Sequence, residues 1–272
     1  VAVIGGCAQS VGGLVGDNGS GTLTSCYATG AVTGTGRYYV GGLVGYNAGT
    51  LTDCYATGSV TGTGNSVGGL VGYNNSGTLT DCYATGPVSG TTSVGGLVGY
   101  NANGTVTDCY ATGSVTGIYP VGGLVGLNAG TLTDCYATGL VKGTIFDVGG
   151  LVGYNDSLGT LTNCFWDTET SQTSNGVGNV WPEPAGAMGK TTAEMMTLST
   201  FTSPPASWDF TNETINGTND YWMMLREGED YPRLAWQPIY PGDIAGLYGV
   251  NLVDYAEIAD HWGQTGCPTG CE

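Results

Sequence analysis

Along residues 1–166 the apolar positions follow no helical period. They come in short bursts, V-G-G-L-V-G, then T-L-T, then C-Y-A-T, then a single Val before T-G. Gly, Asn and Asp bound each burst, as they bound short strands and tight corners. The whole phrase recurs, with VGG beginning at Val11, Val40, Val67, Val94, Val121 and Val148, at intervals of 29, 27, 27, 27 and 27 residues. A fixed period of this length is one supersecondary unit stacked on copies of itself. The unit is too short for a βαβ element, and a coil with two or three short strands is a turn of a parallel β-solenoid. The pattern therefore predicts an all-β chain, a β-helix of about six 27-residue coils, its strands about 4.8 Å apart.

The apolar set within one coil says which way the strands face. In the second coil Leu51, Cys54, Ala56 and Val60 point inward, Thr52–Asp53 makes a corner that resets the alternation, and Tyr55 and Thr57 point outward. The glycines of VGGLVG suit walls that approach closely and corners that need positive φ.

Stacking turns each position into a column. Cys26, Cys54, Cys82, Cys109, Cys135 and Cys164 form one. Three readings stay open for it: buried free thiols, coil-to-coil disulfides, or a metal site, although one Cys per coil is not metal-ligand spacing. Asn18, Asn47, Asn74, Asn101, Asn128 and Asn155 form a second column, in which each amide can bond to the next. Asp53, Asp81, Asp108 and Asp134 form a third, alternating with Ser25 and Asn163 at its ends. Like charges at one coil spacing repel, so these need corner amides, water or a cation between them. Tyr27, Tyr55, Tyr83, Tyr110 and Tyr136 form the column that suggests binding, because outward rings in a row can stack on sugars or on another protein. The alternative is that they stack on one another and stiffen the rod.

The period and these words resemble the Glug motif repeat, whose core is G-L-V-G. The resemblance covers residues 1–166. It implies a β-solenoid accessory module on bacterial surface or secreted proteins, with no chemistry of its own. Where peptidases carry the repeat, their activity needs H-E-x-x-H, and this chain has one His.

After Phe165–Trp166 the period stops. Residues 167–237 carry Trp181, Trp208, Trp222 and Trp236, which together with Trp166 predict a small mixed capping segment over the end of the rod. T-T-A-E-M-M, with Thr capping and Glu194 behind it, predicts a short helix, and Y-P-R-L-A-W a last strand. Residues 238–272 resemble the first half of a dockerin, a helical EF-hand-like module. Asp243, Asn251 and Asp254 fall on its first, ninth and twelfth loop positions, while Ala245, Leu247 and Tyr248 replace the third and fifth ligands and the loop glycine. Calcium enters only through that degenerate loop, and the chain implies no other cofactor. Cys7, Cys267 and Cys271 stand outside the Cys column and are the candidates for disulfides or for a bond to another chain.

Net charge is −17, with only 5 Lys and Arg, which argues against nucleic acid as a partner. No apolar run is long enough to span a membrane. Thr, Gly, Asn and Tyr richness with few Lys suits an extracellular or cell-surface bacterial protein, and the missing targeting segment suggests a trimmed chain. No nucleophile elbow, zinc motif or P-loop is present, and the acidic pair Glu229/Asp230 has nothing around it that marks a glycosidase. The expectation is a non-enzymatic structural or adhesive protein that self-associates head to tail through its N-terminal coil and C-terminal module. The alternative is a polysaccharide- or host-surface-binding module that uses the Tyr column.

Overall fold

A computed structural model describes residues 3–5, 9–36, 38–211 and 216–237. Cys7, Cys267, Cys271 and the whole dockerin-like segment, with Asp243, Asn251 and Asp254, lie outside the described residues. The repeat builds a parallel β-solenoid. Its first coil holds five short strands, β1 (Val3–Gly5), β2 (Ser10–Gly12), β3 (Val15–Asn18), β4 (Thr22–Thr24) and β5 (Tyr27–Ala28). Each founds a parallel sheet that runs the length of the rod, six strands in four of them and seven in the β5 sheet. The chain reading expected two or three strands per coil. The larger number arises because each burst is cut by its own corner.

Pairing is in register throughout, for example Val11↔Val40, Leu23↔Leu51 and Tyr27↔Tyr55. Register is fixed because a slip by one residue would turn the inward Leu and Cys to solvent. The interior holds Leu51, Cys54 and Ala56 with their counterparts, all essentially inaccessible from the second coil to the fifth, with Leu161 of the last coil partly buried. A second column of valines, including Val40, Val67 and Val94, fills the other end of the cross-section.

The glycines of VGG are required by close approach rather than by unusual φ. A Cβ on Gly41 would lie 2.0 Å from the Val44 carbonyl oxygen, and one on Gly42 would lie 2.0 Å from the Gly69 carbonyl oxygen. Positive φ falls instead on the corner residues Ser25, Asp53, Asp81, Asp108, Asp134 and Asn163, at 50–54°. Asn and Asp tolerate that conformation better than other non-glycine residues, which accounts for their place at the corner.

The two ends differ. At the C-terminal end an irregular further turn closes the stack. Trp166 packs inside the solenoid core, the Val177 backbone bridges to Val152, and Ala187–Lys190 adds the seventh strand of the β5 sheet. The Glu183 carboxylate accepts from the Gly176 and Val177 amides and holds that turn in place. At the N-terminal end Leu14 is 52% exposed, whereas its counterparts Leu43, Leu70, Leu97, Leu124 and Leu151 are all at 0%.

Beyond the closing turn, two one-turn helices, α1 (Thr192–Met195) and α2 (Ser199–Thr202), lead into a two-stranded antiparallel sheet, β6 (Trp222–Met223) with β7 (Arg233–Leu234). The expected capping box is formed, with the Thr191 side chain and Glu194 each bonding the other's backbone amide. The strand expected from Y-P-R-L-A-W exists, but it pairs within the cap and does not extend the solenoid. The capping segment divides: residues 167–190 close the end of the rod, as expected, while the tryptophans that follow lie along its side on the outward Tyr column. Trp181 joins no core and is 80% exposed.

Candidate functional site

Four columns define the faces of the rod. The Asn column is hydrogen-bonded from end to end. Each Nδ2 donates to the next Oδ1, from Asn18–Asn47 at 2.7 Å through Asn128–Asn155 at 2.8 Å. Each amide also donates to a glycine carbonyl of its own coil, such as Asn74 to Gly77 at 3.0 Å. Asn179, from the closing turn, does not extend the side-chain ladder; its side chain accepts from the Asn155 backbone N–H and donates to the Asn155 backbone carbonyl. These buried amides are structural.

The six cysteines of the ladder are free thiols, five of them buried and Cys26 half-exposed. Each donates across the corner to the carbonyl two residues back, for example Cys109 to Thr107 at 3.0 Å. Burial, and then bonding to the neighbouring thiols, pushes the Cys109 and Cys164 thiols well above their ordinary range. They behave as small core residues.

The Tyr column faces out of the solenoid, yet most of it is not a free surface. Tyr27 is 58% exposed and Tyr55 half-buried, whereas Tyr83, Tyr110 and Tyr136 are buried at 7, 1 and 1%. This corrects the expectation of an outward binding array: the cap covers three of the five rings. Trp208 and Trp222 pack beside Tyr136, Trp222 also lies against Tyr110, and Trp236 sits against Tyr55 and Tyr83. The rings remain stacked on one another, with centroids 4.9–5.1 Å apart and planes within 7° of parallel. The cap also contacts their hydroxyls: Gln237 bonds Tyr110, and the Tyr136 hydroxyl donates to the Pro232 carbonyl.

The Asp column lies at the edge of the same contact. Three indoles dock onto it: Trp236 donates to the Asp81 carbonyl at 3.0 Å, Trp222 to the Asp108 carboxylate at 2.9 Å and Trp208 to the Asn163 carbonyl at 3.1 Å. Burial raises these carboxyls, to about 7 at Asp81, about 8 at Asp108 and about 6 at Asp134. Bonds from Trp222 and Asn163 oppose the rise at Asp108 and Asp134. Among the described residues no group of three or more His, Cys, Asp and Glu is placed to hold a metal ion. Near the cap's far edge a cleft of about 290 Å³ is lined by Tyr136, Glu229, Asp230 and Tyr231. Its acids are paired, Glu229 with Arg226 at 2.9 Å and Asp230 with Arg226 at 3.4 Å.

The remaining face received no role from the chain reading. In β4 and its counterparts an inward Leu or Val sits between two outward threonines, which form the columns Thr22, Thr50, Thr78, Thr105, Thr131, Thr160 and Thr24, Thr52, Thr80, Thr107, Thr133, Thr162. Its signal was present in the sequence as T-L-T once per coil.

The family model of the GLUG motif matches residues 8–33, 36–61, 63–89, 90–116 and 119–142. The chain carries GLUG repeats. The coil that begins at Val148 continues the same register beyond the last match, with Val121↔Val148 and Leu132↔Leu161. No curated protein and no solved structure matches the chain. GLUG repeats stacked as a β-solenoid fit a structural or binding repeat protein. No described helix is long and apolar enough to cross a membrane.

Proposed function

We propose that the protein is a non-enzymatic structural rod of the bacterial cell exterior that associates lengthwise through its N-terminal coil. The observation that carries the reading is the contrast between the ends. Leu14 is 52% exposed, and Val15, Leu23, Cys26 and Ala28 are only partly buried although they occupy core positions. Every other coil covers those positions with the coil before it. A surface of unpaired strand edges and apolar side chains is complementary to another β-coil, whether in a longer polypeptide or in a second copy of this chain. The closing turn at the other end leaves one stacking face per molecule within residues 9–211, so head-to-tail growth would need residues 238–272 as the second.

Sedimentation and electron microscopy test this directly. The chain is expected to form elongated dimers or longer particles at high concentration, and Leu14→Glu is expected to disperse them. Uniform monomers of the unsubstituted chain would count against lengthwise association.

The polysaccharide reading keeps a narrower footing at the exposed Tyr27 and at Tyr55, which is half-buried against Trp236. Binding to an insoluble glycan that disappears with Tyr27→Ala plus Tyr55→Ala would favour it. Calcium docking through Asp243, Asn251 and Asp254 is a separate question, which calorimetry with calcium answers.

A further inference from the structure

The two threonine columns support an inference that does not depend on how the ends associate. We propose that the sheet founded by β4 is an ice-binding face, an array of side chains that fits an ordered lattice of water.

A lattice of water demands a regular array. Most sheets twist by roughly 20–25° per strand. Here the rings of the adjacent Tyr column lie within 7° of parallel over four successive steps. The unbroken register keeps each threonine over its counterpart in the next coil. It places twelve threonines, six in each column, on one regular grid. Its spacings are about 4.8 Å along the rod and about 6.7 Å between columns, two residues of strand apart. Oxygen atoms on the low-index faces of hexagonal ice repeat at distances close to both.

The chemistry of the face fits the same ligand. All twelve outward positions are Thr, while the inward position between them changes to Val at Val106. High strand propensity explains a threonine in a strand. It does not explain why Val, Ser and Lys are absent from both columns when another column of this rod runs Thr33, Thr61, Ser89, Thr116, Lys142. The face carries no charge, so it does not organise water around an ion. Each threonine offers a hydroxyl and a methyl, and its χ1 is confined by branching at Cβ. The array is thus set before contact, which lowers the entropy lost on binding. The cap leaves it open: Thr22, Thr24, Thr105, Thr160 and Thr162 are exposed and the other seven are partly exposed. The hydroxyls of Thr160 and Thr131 bond to each other at 3.2 Å.

The test uses the full chain in ice-affinity partition and in microscopy of single ice crystals below their melting point. The chain is expected to be enriched in the ice fraction and to facet the crystals. Thr80→Lys with Thr107→Lys, in the middle of the face, is expected to return partition to the level of serum albumin. Thr61→Lys with Thr116→Lys, on the other column, is expected to leave it unchanged. Circular dichroism reports whether each variant folds. If the lysine pair does not, Thr80→Ser with Thr107→Ser removes only methyls and is expected to lower partition several-fold. Exclusion of the unsubstituted chain from ice overturns the proposal. So does equal loss from both lysine pairs. Retention on crystalline cellulose or chitin through these same threonines, with exclusion from ice, also overturns it and assigns the face to a polysaccharide lattice.

Discussion

Tyr27 and Tyr136 occupy the same position of the same repeat, in the same register, yet one is 58% exposed and the other 1%. The coil does not decide between them. A segment with no periodicity does, by laying Trp208, Trp222 and Trp236 along the column from Tyr55 to Tyr136 and leaving Tyr27 bare among the described residues. A repeat protein can therefore differentiate identical rungs without changing them. At the last rung the column itself changes, to Phe165, which meets Phe201 and Trp208 edge-on.

The sharpest way to break this contrast is at the covered rings. Trp222→Ala removes a fully buried ring and the donor to Asp108. It is expected to cost about 3–5 kcal/mol in denaturant unfolding. Tyr27→Ala at the bare end is expected to cost well under half of that, because its ring is half in water already. If the two substitutions cost the same, the cap is not what separates covered rings from the bare one.

The interior gives the next effect. Asn74→Ala takes from Asn47 the acceptor for one amide hydrogen and from Asn101 its only rung donor. A loss of about 1–3 kcal/mol is expected, and less from Asn18→Ala, since Asn18 has a neighbour on one side only.

The covered carboxyls predict a pH dependence with a definite sign. Asp81 and Asp108 titrate at about 7 and about 8 in the folded chain, against a reference of 3.8. Folding therefore takes up protons between these values. The stabilisation is fully present below the reference value and is lost as pH rises through 7 to 8. The melting midpoint should fall between pH 5 and pH 8.5. Asp108→Asn, which can still accept from Trp222, should flatten that fall. A midpoint that rises over the same interval would show that the carboxyls are not desolvated.

The smallest effect is kinetic. Thiol labelling of the folded chain, followed by peptide mapping, should modify Cys26 well before Cys54, Cys82, Cys109, Cys135 or Cys164, because only the first lacks a covering coil. Equal rates would mean that the coils open as readily in the middle as at the end.

How much of this could be read from the chain depends on periodicity. The coil length, the register, the inward Leu, Cys and Ala and the bonded Asn column all follow from a repeat that constrains itself six times over. The position of the cap does not, because residues 168–237 repeat nothing and their tryptophans could serve an end or a side equally well. The clue that favours the side is Phe165 in place of Tyr, a rung whose outward ring has lost its hydroxyl just where the non-repeating segment begins. The glycines were half read. Their need for close approach is met, but the left-handed corners went to Asp53 and its counterparts, whose side chains tolerate φ near 50°. The threonine face is not legible one coil at a time, because each T-L-T is ordinary alone and becomes unusual only when stacked in register.

Asn179 has one further consequence. It belongs to no repeat, yet its side-chain amide satisfies the backbone N–H and carbonyl of Asn155 that a further coil would otherwise pair. Whatever coil stands before it, the terminator sees an identical surface. Among the described residues the cap docks no nearer the N-terminus than the coil of Tyr55. Whole coils could thus be gained or lost ahead of that point by duplication or recombination, and the finished molecule would change in reach while its closure stayed the same.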